Sequence, residues 1–188
     1  MSSARKFISE TRALKMLDEI RAKFRANVLP YERQAKPCSK CDMPGSCCVD
    51  AHFVNVRVSR VEARQIVDVI NDMPPVERQS VFNRIDNAID EYGLDRDSDN
   101  AAFTYACPLF DTSRGCLVHD RAKPLPCIHH ACYERREDLP PDELLDEAEL
   151  EIERLNKKVY GRSQPLISLP IAIKDAEARA QARAQSAS

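Results

Sequence analysis

The sequence lacks the features that mark several common classes of protein. It has only four glycines among 188 residues, and none of them forms a Gly-rich loop for a phosphate or a dinucleotide. No stretch approaches the ~20 consecutive apolar residues of a transmembrane helix. The N-terminus also has no continuous apolar run of the kind found in a secretory signal peptide. We therefore expect a cytoplasmic protein that does not bind a membrane.

The charge of the chain has little excess of either sign. Lysine and arginine number 28 and aspartate and glutamate 30, which gives a formal net charge of −2. Because nucleic-acid binding needs a basic surface to contact phosphates, we expect no nucleic-acid partner. The apolar fraction of 43% and the charged fraction of 31% are typical of a soluble, folded chain. Nothing in the sequence identifies a protein partner.

Eight cysteines form two clusters in the sequence, and none lies between the clusters. The first cysteine group is Cys38, Cys41, Cys47 and Cys48, and the second is Cys107, Cys116, Cys127 and Cys132. Disulfides and plain buried thiols are the alternatives, but disulfides are rare in the reducing cytoplasm. Thiolates at short spacings are typical metal ligands. The sequence therefore predicts a metal ion as partner, with all eight cysteines as candidate ligands.

The number of thiols permits more than one arrangement of metal. Four thiolates suit tetrahedral zinc and also an iron–sulfur cluster, and eight could fill two such sites or one site with spares. Cys47 and Cys48 are adjacent, so their side chains tend to point apart and seldom share one ion. We therefore expect one centre or two adjacent centres that draw on both cysteine groups. Arg57, Lys40, Lys123 or backbone N–H groups are candidates to offset the negative charge.

Histidines near the second cysteine group have the spacing of metal ligands. They are His119, His129 and His130, but the cysteines alone satisfy the coordination number, so we expect these histidines not to be essential ligands. A nucleophilic Cys–His pair, such as Cys127 with His129 or His130, stays open as an alternative. No single pair is selected by the sequence, and the catalytic residues stay unknown.

Helical patterns dominate outside the cysteine groups. Apolar residues recur at helical spacing from about Arg5 to Asn27, and Pro30 then ends this helical segment. A second such pattern runs from Pro141 to Tyr160. Ser59 and Glu62 form a capping box that begins a further helix. Within the second cysteine group we expect at most a short β-hairpin, around Gly115. We predict a mainly α fold with long irregular loops and a small β-hairpin, as a single domain organised around a cysteine metal centre.

Three consecutive segments make up the predicted domain organisation. An N-terminal helix covers residues 1–30, and a cysteine-cluster metal-binding domain covers 31–161. The remaining residues, 162–188, are Ala-rich and polar after Pro170. Such a composition favours a C-terminal extension that is partly disordered.

The order of the cysteines and of the residues around them resembles a known family. The elements that carry the likeness are the first cysteine group, then Cys107-Pro108-Leu109-Phe110, Gly115-Cys116, Lys123-Pro124 before Cys127, and a final Cys132. Together they resemble the YkgJ-type CxxCxxCC cysteine-cluster family over the stretch from Cys38 to Cys132. One departure is that Cys41 and Cys47 are separated by five residues, where the family has a shorter spacing.

The resemblance implies a domain that chelates zinc or iron. The cofactor would be a mononuclear zinc or iron ion or an iron–sulfur cluster, held by the eight cysteines, and the centre would be structural or redox-active. An alternative is an iron–sulfur-dependent oxidoreductase or a subunit of a modifying enzyme, because a related domain occurs in a flagellin lysine methylase. Whether the chain is itself an enzyme stays open at this point.

Overall fold

The structure is a computed structural model that describes residues 7–36, 40, 43, 45–49, 54–96 and 103–186. It is mainly helical, with 62% helix, 6% strand and two small antiparallel sheets, which confirms the predicted class. No helix within these ranges is both long enough and apolar enough to cross a membrane.

The described helices and strands follow one another in a simple order. They are α1 Glu10–Glu32, α2 Ser46–Val49, β1 Arg57–Val58, α3 Arg60–Asn71, α4 Pro75–Glu91, β2 Phe110–Asp111, β3 Gly115–Cys116, α5 Leu125–His129, α6 Asp142–Tyr160, β4 Ile167–Ser168 and α7 Leu169–Ser186. A short 3-10 turn, Arg136–Asp138, precedes α6.

The chain divides into two compact units, each made of two separate stretches of sequence. Unit 1 comprises Met1–Pro44 and Lys123–Pro165, and unit 2 comprises Gly45–Ala122 and Leu166–Ser188. The boundaries of the units differ from those of the three consecutive segments that the sequence predicts. The second cysteine group is divided between the two units, with Cys107 and Cys116 in unit 2 and Cys127 and Cys132 in unit 1.

In unit 1, the helix α1 packs against α5 and α6. The side chain of Ser9 caps α1 by accepting a hydrogen bond from the backbone N–H of Arg12, at 3.2 Å. The helix continues past Pro30 to Glu32, two residues beyond its predicted end. Pro30 lies in the last turn and has a φ that suits a helix, and that turn still closes through the bond from Arg33 N–H to Leu29 O, at 3.2 Å. The buried side of α1 presents Ala13, Leu17, Arg21, Phe24 and Val28.

The other long helix of unit 1, α6, has the boundaries that the sequence predicts. It begins after Pro141 and ends at Gly161, whose φ of 80° is left-handed and whose N–H donates to Lys157 O at 2.9 Å. Lys23 of α1 forms an ion pair with Glu151 of α6, with 2.6 Å between Nζ and Oε1. This pair is exposed, so the contribution of the ion pair to stability is small. The buried residues Ala148, Ile152, Leu155 and Asn156 lie along α6.

In unit 2, α3 begins at the predicted capping box. The Ser59 side chain accepts from the Glu62 N–H at 3.4 Å, and the Glu62 carboxylate accepts from the Ser59 N–H at 2.9 Å. These two bonds satisfy donors that would otherwise be left unpaired at the first turn of the helix. The apolar face of α3 packs against α7 and α4. Its buried apolar side chains are Val61, Ala63, Ile66, Val67, Val69 and Ile70.

Tyr105 joins the short strands of unit 2 to α7. Its side chain is fully buried, its hydroxyl donates to Val56 O at 2.5 Å, and the Leu169 N–H donates to the same hydroxyl at 3.2 Å. The alternating valines predict a strand from Val54 to Val58, but only Arg57–Val58 pairs, in antiparallel register with β4. The partner strand β4 comes from far along the chain, so the local alternation of valines does not determine the length of β1.

The C-terminal stretch differs from the partly disordered extension predicted for residues 162–188. Leu169–Ser186 form helix α7, and its first half is buried against α3 and α4. Ala172, Ile173 and Ala176 lie on that buried face. Alanine is the strongest helix former, and its small side chain lets two helix backbones approach closely. An Ala-rich composition therefore predicts either disorder or a closely packed helix, and the contacts with α3 favour the helix.

Candidate metal centre

The structure divides the candidate ligands between the two units. Cys38 and Cys41 lie outside the described residues. Cys47, Cys48, Cys107 and Cys116 belong to unit 2, and Cys127 and Cys132 belong to unit 1. The six described cysteines are reduced thiols and do not form disulfides with one another. The described second group therefore contributes two thiols to each unit.

Cys47 and Cys48, the described members of the first cysteine group, follow a tight turn at Gly45. This glycine has a φ of 85°, and it leads directly into α2, which carries Cys47 and Cys48. The Cys48 N–H donates to Gly45 O at 2.8 Å and closes the first turn of the helix. The ring of Phe110 lies directly against the Gly45 Cα, where a Cβ atom would overlap it. Only glycine suits both the left-handed backbone and this close approach.

A backbone hydrogen bond joins the first cysteine group to the second. The Cys107 N–H donates to Cys48 O, with 2.7 Å between nitrogen and oxygen. From Cys107 the chain turns into the hairpin β2–β3, in which Phe110 and Cys116 are directly opposed. Helix α2 is distant in sequence from the turn at Cys107 and its hairpin, and the Cys107–Cys48 hydrogen bond therefore brings cysteines of both groups into one region of unit 2.

The environment of the Cys107 sulfur affects its charge. Burial, and to a smaller extent the nearby Cys116 thiol, raise the pKa of the Cys107 thiol to about 12. The backbone N–H groups of Leu109 and Phe110 and the guanidinium of Arg84 favour the thiolate and act in the opposite direction on this pKa. The sulfur therefore already has donors and a cation beside it, but it needs a further positive charge before it is held as a thiolate.

Arg84 and Glu77 attach the hairpin to helix α4. Arg84 Nη1 donates to Phe110 O at 3.3 Å and lies 3.6 Å from Asp111 Oδ2. At the other end of the same helix face, Glu77 Oε1 accepts from Arg114 Nη1 at 2.6 Å. These contacts hold β2 and β3, and with them Cys116, against a rigid helix.

The loop between β2 and β3 is closed by the side chain of Asp111. Its carboxylate accepts from the Ser113 hydroxyl at 2.6 Å and from the Ser113 and Arg114 N–H groups at 2.9 and 3.2 Å. These hydrogen bonds lower the pKa of Asp111 to about 2, so the carboxylate is ionised at neutral pH. The hairpin turn is therefore fixed by the charged side chain of Asp111.

Arg84, which lies near Cys107, is not among the cations predicted from the sequence to offset the thiolate charge. The predicted cations are Arg57, Lys40 and Lys123, but the Arg57 guanidinium instead donates to Leu166 O at 2.6 Å. Arg84 directly precedes Ile85, which lies on the apolar face of α4. An arginine beside a buried position is the signal in the sequence that could have identified it. Its function depends on the packing of α4 against the hairpin, which is a long-range contact.

The two cysteines of unit 1 that the structure describes, Cys127 and Cys132, precede and follow His130 in the sequence. Cys127 is in the short helix α5, and the Cys132 carbonyl accepts a hydrogen bond at 2.8 Å from the N–H of Lys36. Lys36 and Cys132 form an isolated antiparallel bridge. Lys36 precedes Cys38 by two residues in the sequence. Unit 1 thus repeats the arrangement of unit 2, in which backbone pairing joins the chain near one cysteine group to a member of the other.

The nearby histidines have contacts of a structural kind. The His129 ring stacks on Phe24, with 6.4 Å between ring centroids and 17° between planes, and its Nε2 lies 3.4 Å from Pro141 O. His119 and His130 are exposed. The non-ligand role predicted for these histidines stays a prediction, and the Phe24–His129 stacking supports it.

Replacing His119, His129 or His130 by alanine is expected to leave the metal content near that of the wild type. The eight cysteines supply enough thiolates for one or two four-coordinate sites, so we expect none of these imidazoles to be needed. His129→Ala should lower the free energy of unfolding by about 0.5–1.5 kcal/mol, because it removes the stacking on Phe24. Elemental analysis and urea unfolding measure the two effects separately. Loss of half or more of the metal in any single variant would contradict the all-thiolate assignment.

Backbone hydrogen bonds join the segments that carry the described cysteines, but the side chains of these cysteines are not grouped as ligands of one ion. Within the part of the chain that the structure describes, no three side chains of His, Cys, Asp or Glu are grouped in a way that could hold a metal ion. The donor set fits zinc or iron by its chemistry, and metal binding would have to draw the sulfurs together. No protein-family model, curated protein or solved structure matches the chain.

Proposed function

We propose that this protein binds zinc or iron through cysteine thiolates, in a centre that is structural or redox-active. The observation that carries the proposal is the hydrogen bond from the Cys107 N–H to Cys48 O, at 2.7 Å. It joins cysteines from the two sequence groups within one compact unit. A bound ion would supply the positive charge that a set of thiolates requires.

The environment of Cys107 supports a role as a metal ligand, because this half-buried thiol has its pKa raised by burial. A buried thiol resists ionisation, and a bound divalent cation is the usual means by which a protein holds such a sulfur as thiolate. The N–H groups of Leu109 and Phe110 and the guanidinium of Arg84 are already positioned to stabilise that charge. Hydrogen bonds to ligand atoms of this kind orient and tune metal sites.

The energy of metal binding is large enough to gather the thiols. Moving a side chain away from its preferred rotamer costs about 0.5–1.5 kcal/mol. Structural zinc binding contributes on the order of 10–16 kcal/mol in small domains at neutral pH. A rearrangement of a few cysteine side chains and of the short helix α2 is therefore small beside the binding energy.

A second candidate function is an iron–sulfur-dependent oxidoreductase or a subunit of a modifying enzyme, similar to a methylase. The observation that favours it is again at Cys107, whose sulfur faces the backbone N–H groups of Leu109 and Phe110. In iron–sulfur proteins, hydrogen bonds to the sulfurs are one of the means by which the reduction potential is set. A redox centre at Cys107 would use these contacts to set its reduction potential.

Anaerobic purification followed by elemental analysis and a visible spectrum tests the proposal. We expect near-stoichiometric zinc or iron, because thiolate sites of this kind bind metal tightly. A colourless protein that keeps its metal through reduction and reoxidation indicates zinc in a structural role. A brown protein that dithionite bleaches indicates an iron–sulfur cluster. Less than about a tenth of an equivalent of zinc plus iron, with no gain after anaerobic reconstitution, would contradict the proposal.

A further inference from the structure

A pair of buried polar atoms in unit 2 has no hydrogen-bond partner within the residues that the structure describes. They are Arg57 Nε of β1 and Ser168 Oγ of β4. Arg57 and Ser168 are directly opposed in the antiparallel register, so their side chains project from the same face of the sheet. Ser168 is only 1% exposed. Buried polar atoms without partners are rare in native proteins, and where they occur they indicate a bound water or ion.

The charge of Arg57 forms no ion pair with any carboxylate of the described residues. Its Nη2 donates to Leu166 O at 2.6 Å, which is a neutral acceptor. The acidic residue nearest to it in the sequence, Glu62, uses its carboxylate in the capping box of α3. By contrast, Arg64 of the same unit pairs with Asp68, with 2.8 Å between Nε and Oδ1. Because buried charges in proteins are normally paired, the half-buried Arg57 is expected to have an anionic partner.

The start of α7 adds a positive electrostatic potential at the same place. Ser168 directly precedes Leu169, the first residue of this 18-residue helix, and thus occupies its N-cap position. The N-terminal end of a helix carries a partial positive charge that favours anions. The Leu169 N–H is already bonded to Val56 O at 2.9 Å, and Pro170 has no N–H. The donors to an anion would therefore be the side chains of Arg57 and Ser168, and the helix dipole would add to them.

We infer that Arg57 and Ser168 form a binding site for a small oxyanion, such as inorganic phosphate, at the start of α7. Arg57 Nε and the Ser168 hydroxyl each donate a hydrogen bond to an oxygen of the anion, and charge-assisted bonds of this kind are among the strongest in proteins. A water molecule could partner both atoms, but it would leave the charge of Arg57 without an anion. Both donor atoms are shielded from solvent, so the anion should be small. The site contains no cysteine, so the inference does not depend on the proposed metal.

Isothermal titration calorimetry of the full-length protein with inorganic phosphate tests the inference. Potassium chloride holds the ionic strength constant, so that a general effect of salt is separated from binding at a site. We expect saturable binding of phosphate, and a midpoint of thermal unfolding that rises with phosphate concentration, because the anion binds the folded chain. If phosphate shows no saturable binding under these conditions, the inference is overturned, and water is the partner of the two buried atoms.

Ser168→Ala is the sharpest variant, because the Ser168 hydroxyl has no hydrogen bond to lose within the described part of the chain. Loss of a hydrogen bond to a charged ligand should weaken phosphate binding by about tenfold or more, while the thermal midpoint without phosphate should not fall. Arg57→Gln should weaken phosphate binding at least as much. Arg64→Gln is a matched control, because Arg64 is an arginine of the same unit that has Asp68 as its carboxylate partner. It should leave the phosphate affinity within about twofold of the wild type.

The variants also define the results that would overturn the inference. Wild-type phosphate affinity in Ser168→Ala would do so, and so would equal losses of affinity in Arg57→Gln and Arg64→Gln. Arg57→Gln also removes the hydrogen bond to Leu166 O, so circular dichroism checks its folding, and if it does not fold, Ser168→Ala decides the matter. Glycerol phosphate, a phosphate monoester, should bind more weakly than inorganic phosphate, because both donor atoms are enclosed. Tighter binding of the monoester would overturn the assignment to a small inorganic anion.

Discussion

Removing the proposed metal is expected to unfold both cysteine regions while the long helices persist. Structural zinc binding contributes on the order of 10–16 kcal/mol in small domains, which rivals the ~5–15 kcal/mol net stability of a whole domain. The cysteine-bearing segments have little regular structure of their own, since α2 has four residues and β2 and β3 have two each. By contrast α1 and α6 are long helices with buried apolar faces.

Hydrogen exchange with and without a chelator measures this difference along the chain. After anaerobic chelation, peptides covering α2 and the stretch from Cys107 to Cys132 should lose protection, and the midpoint of thermal unfolding should fall. Peptides from the middle of α6 should exchange at nearly the rate of the metal-loaded protein. Adding Zn²⁺ back should restore both protection and midpoint. If elemental analysis shows that the metal has gone while neither quantity changes, the centre does not stabilise the fold.

The helix boundaries that the sequence predicts are those with local chemical signals. The capping box at Ser59 and Glu62 begins α3, and Gly161 ends α6 with a left-handed backbone. Each signal involves residues within one turn of the helix end, so no tertiary information is needed to read it. Pro30 is a weaker signal, because a proline in the last turn removes a single donor that the helix can do without.

The features that the sequence does not predict depend on long-range contacts. Helix α7 is stabilised by packing against α3 and α4, and its alanine content is equally compatible with disorder in isolation. The division into two units likewise arises from pairing between residues far apart in sequence, such as Lys36 with Cys132 and Arg57 with Ser168. No local periodicity encodes such pairings.

The candidate site shows the same division between local and long-range information. The spacing of the cysteines identifies the thiols as candidate ligands, because chelation requires several donors close together. The spacing does not say which thiols share an ion. The bond between Cys107 and Cys48, the pairing of Phe110 with Cys116 and the approach of Arg84 are all tertiary contacts.

Replacing Gly45 by alanine is expected to destabilise unit 2 and to weaken metal binding. The φ of 85° disfavours any L-residue with a side chain, at a cost of about 1–2 kcal/mol. The new Cβ would also overlap the Phe110 ring, which must then move at a further cost of about 1–3 kcal/mol. Because Phe110 pairs with Cys116, and Gly45 leads into Cys48, the displaced ring would disturb two proposed ligands.

Gly115→Ala is a matched control for the effect of the Phe110 ring. Gly115 has a φ of 77° in the hairpin of the same unit, and nothing lies within 4 Å of the position that its Cβ would take. Urea unfolding should therefore show only the backbone cost for Gly115→Ala, about 1–2 kcal/mol, and a larger loss for Gly45→Ala. In the double variant Gly45→Ala/Phe110→Ala the overlap is gone. The double variant should therefore lose less stability than the sum of the losses measured for Gly45→Ala and Phe110→Ala separately. Equal losses in the two glycine variants, together with strict additivity in the double variant, would show that the contact between Gly45 and Phe110 does not contribute to the stability of the cysteine region.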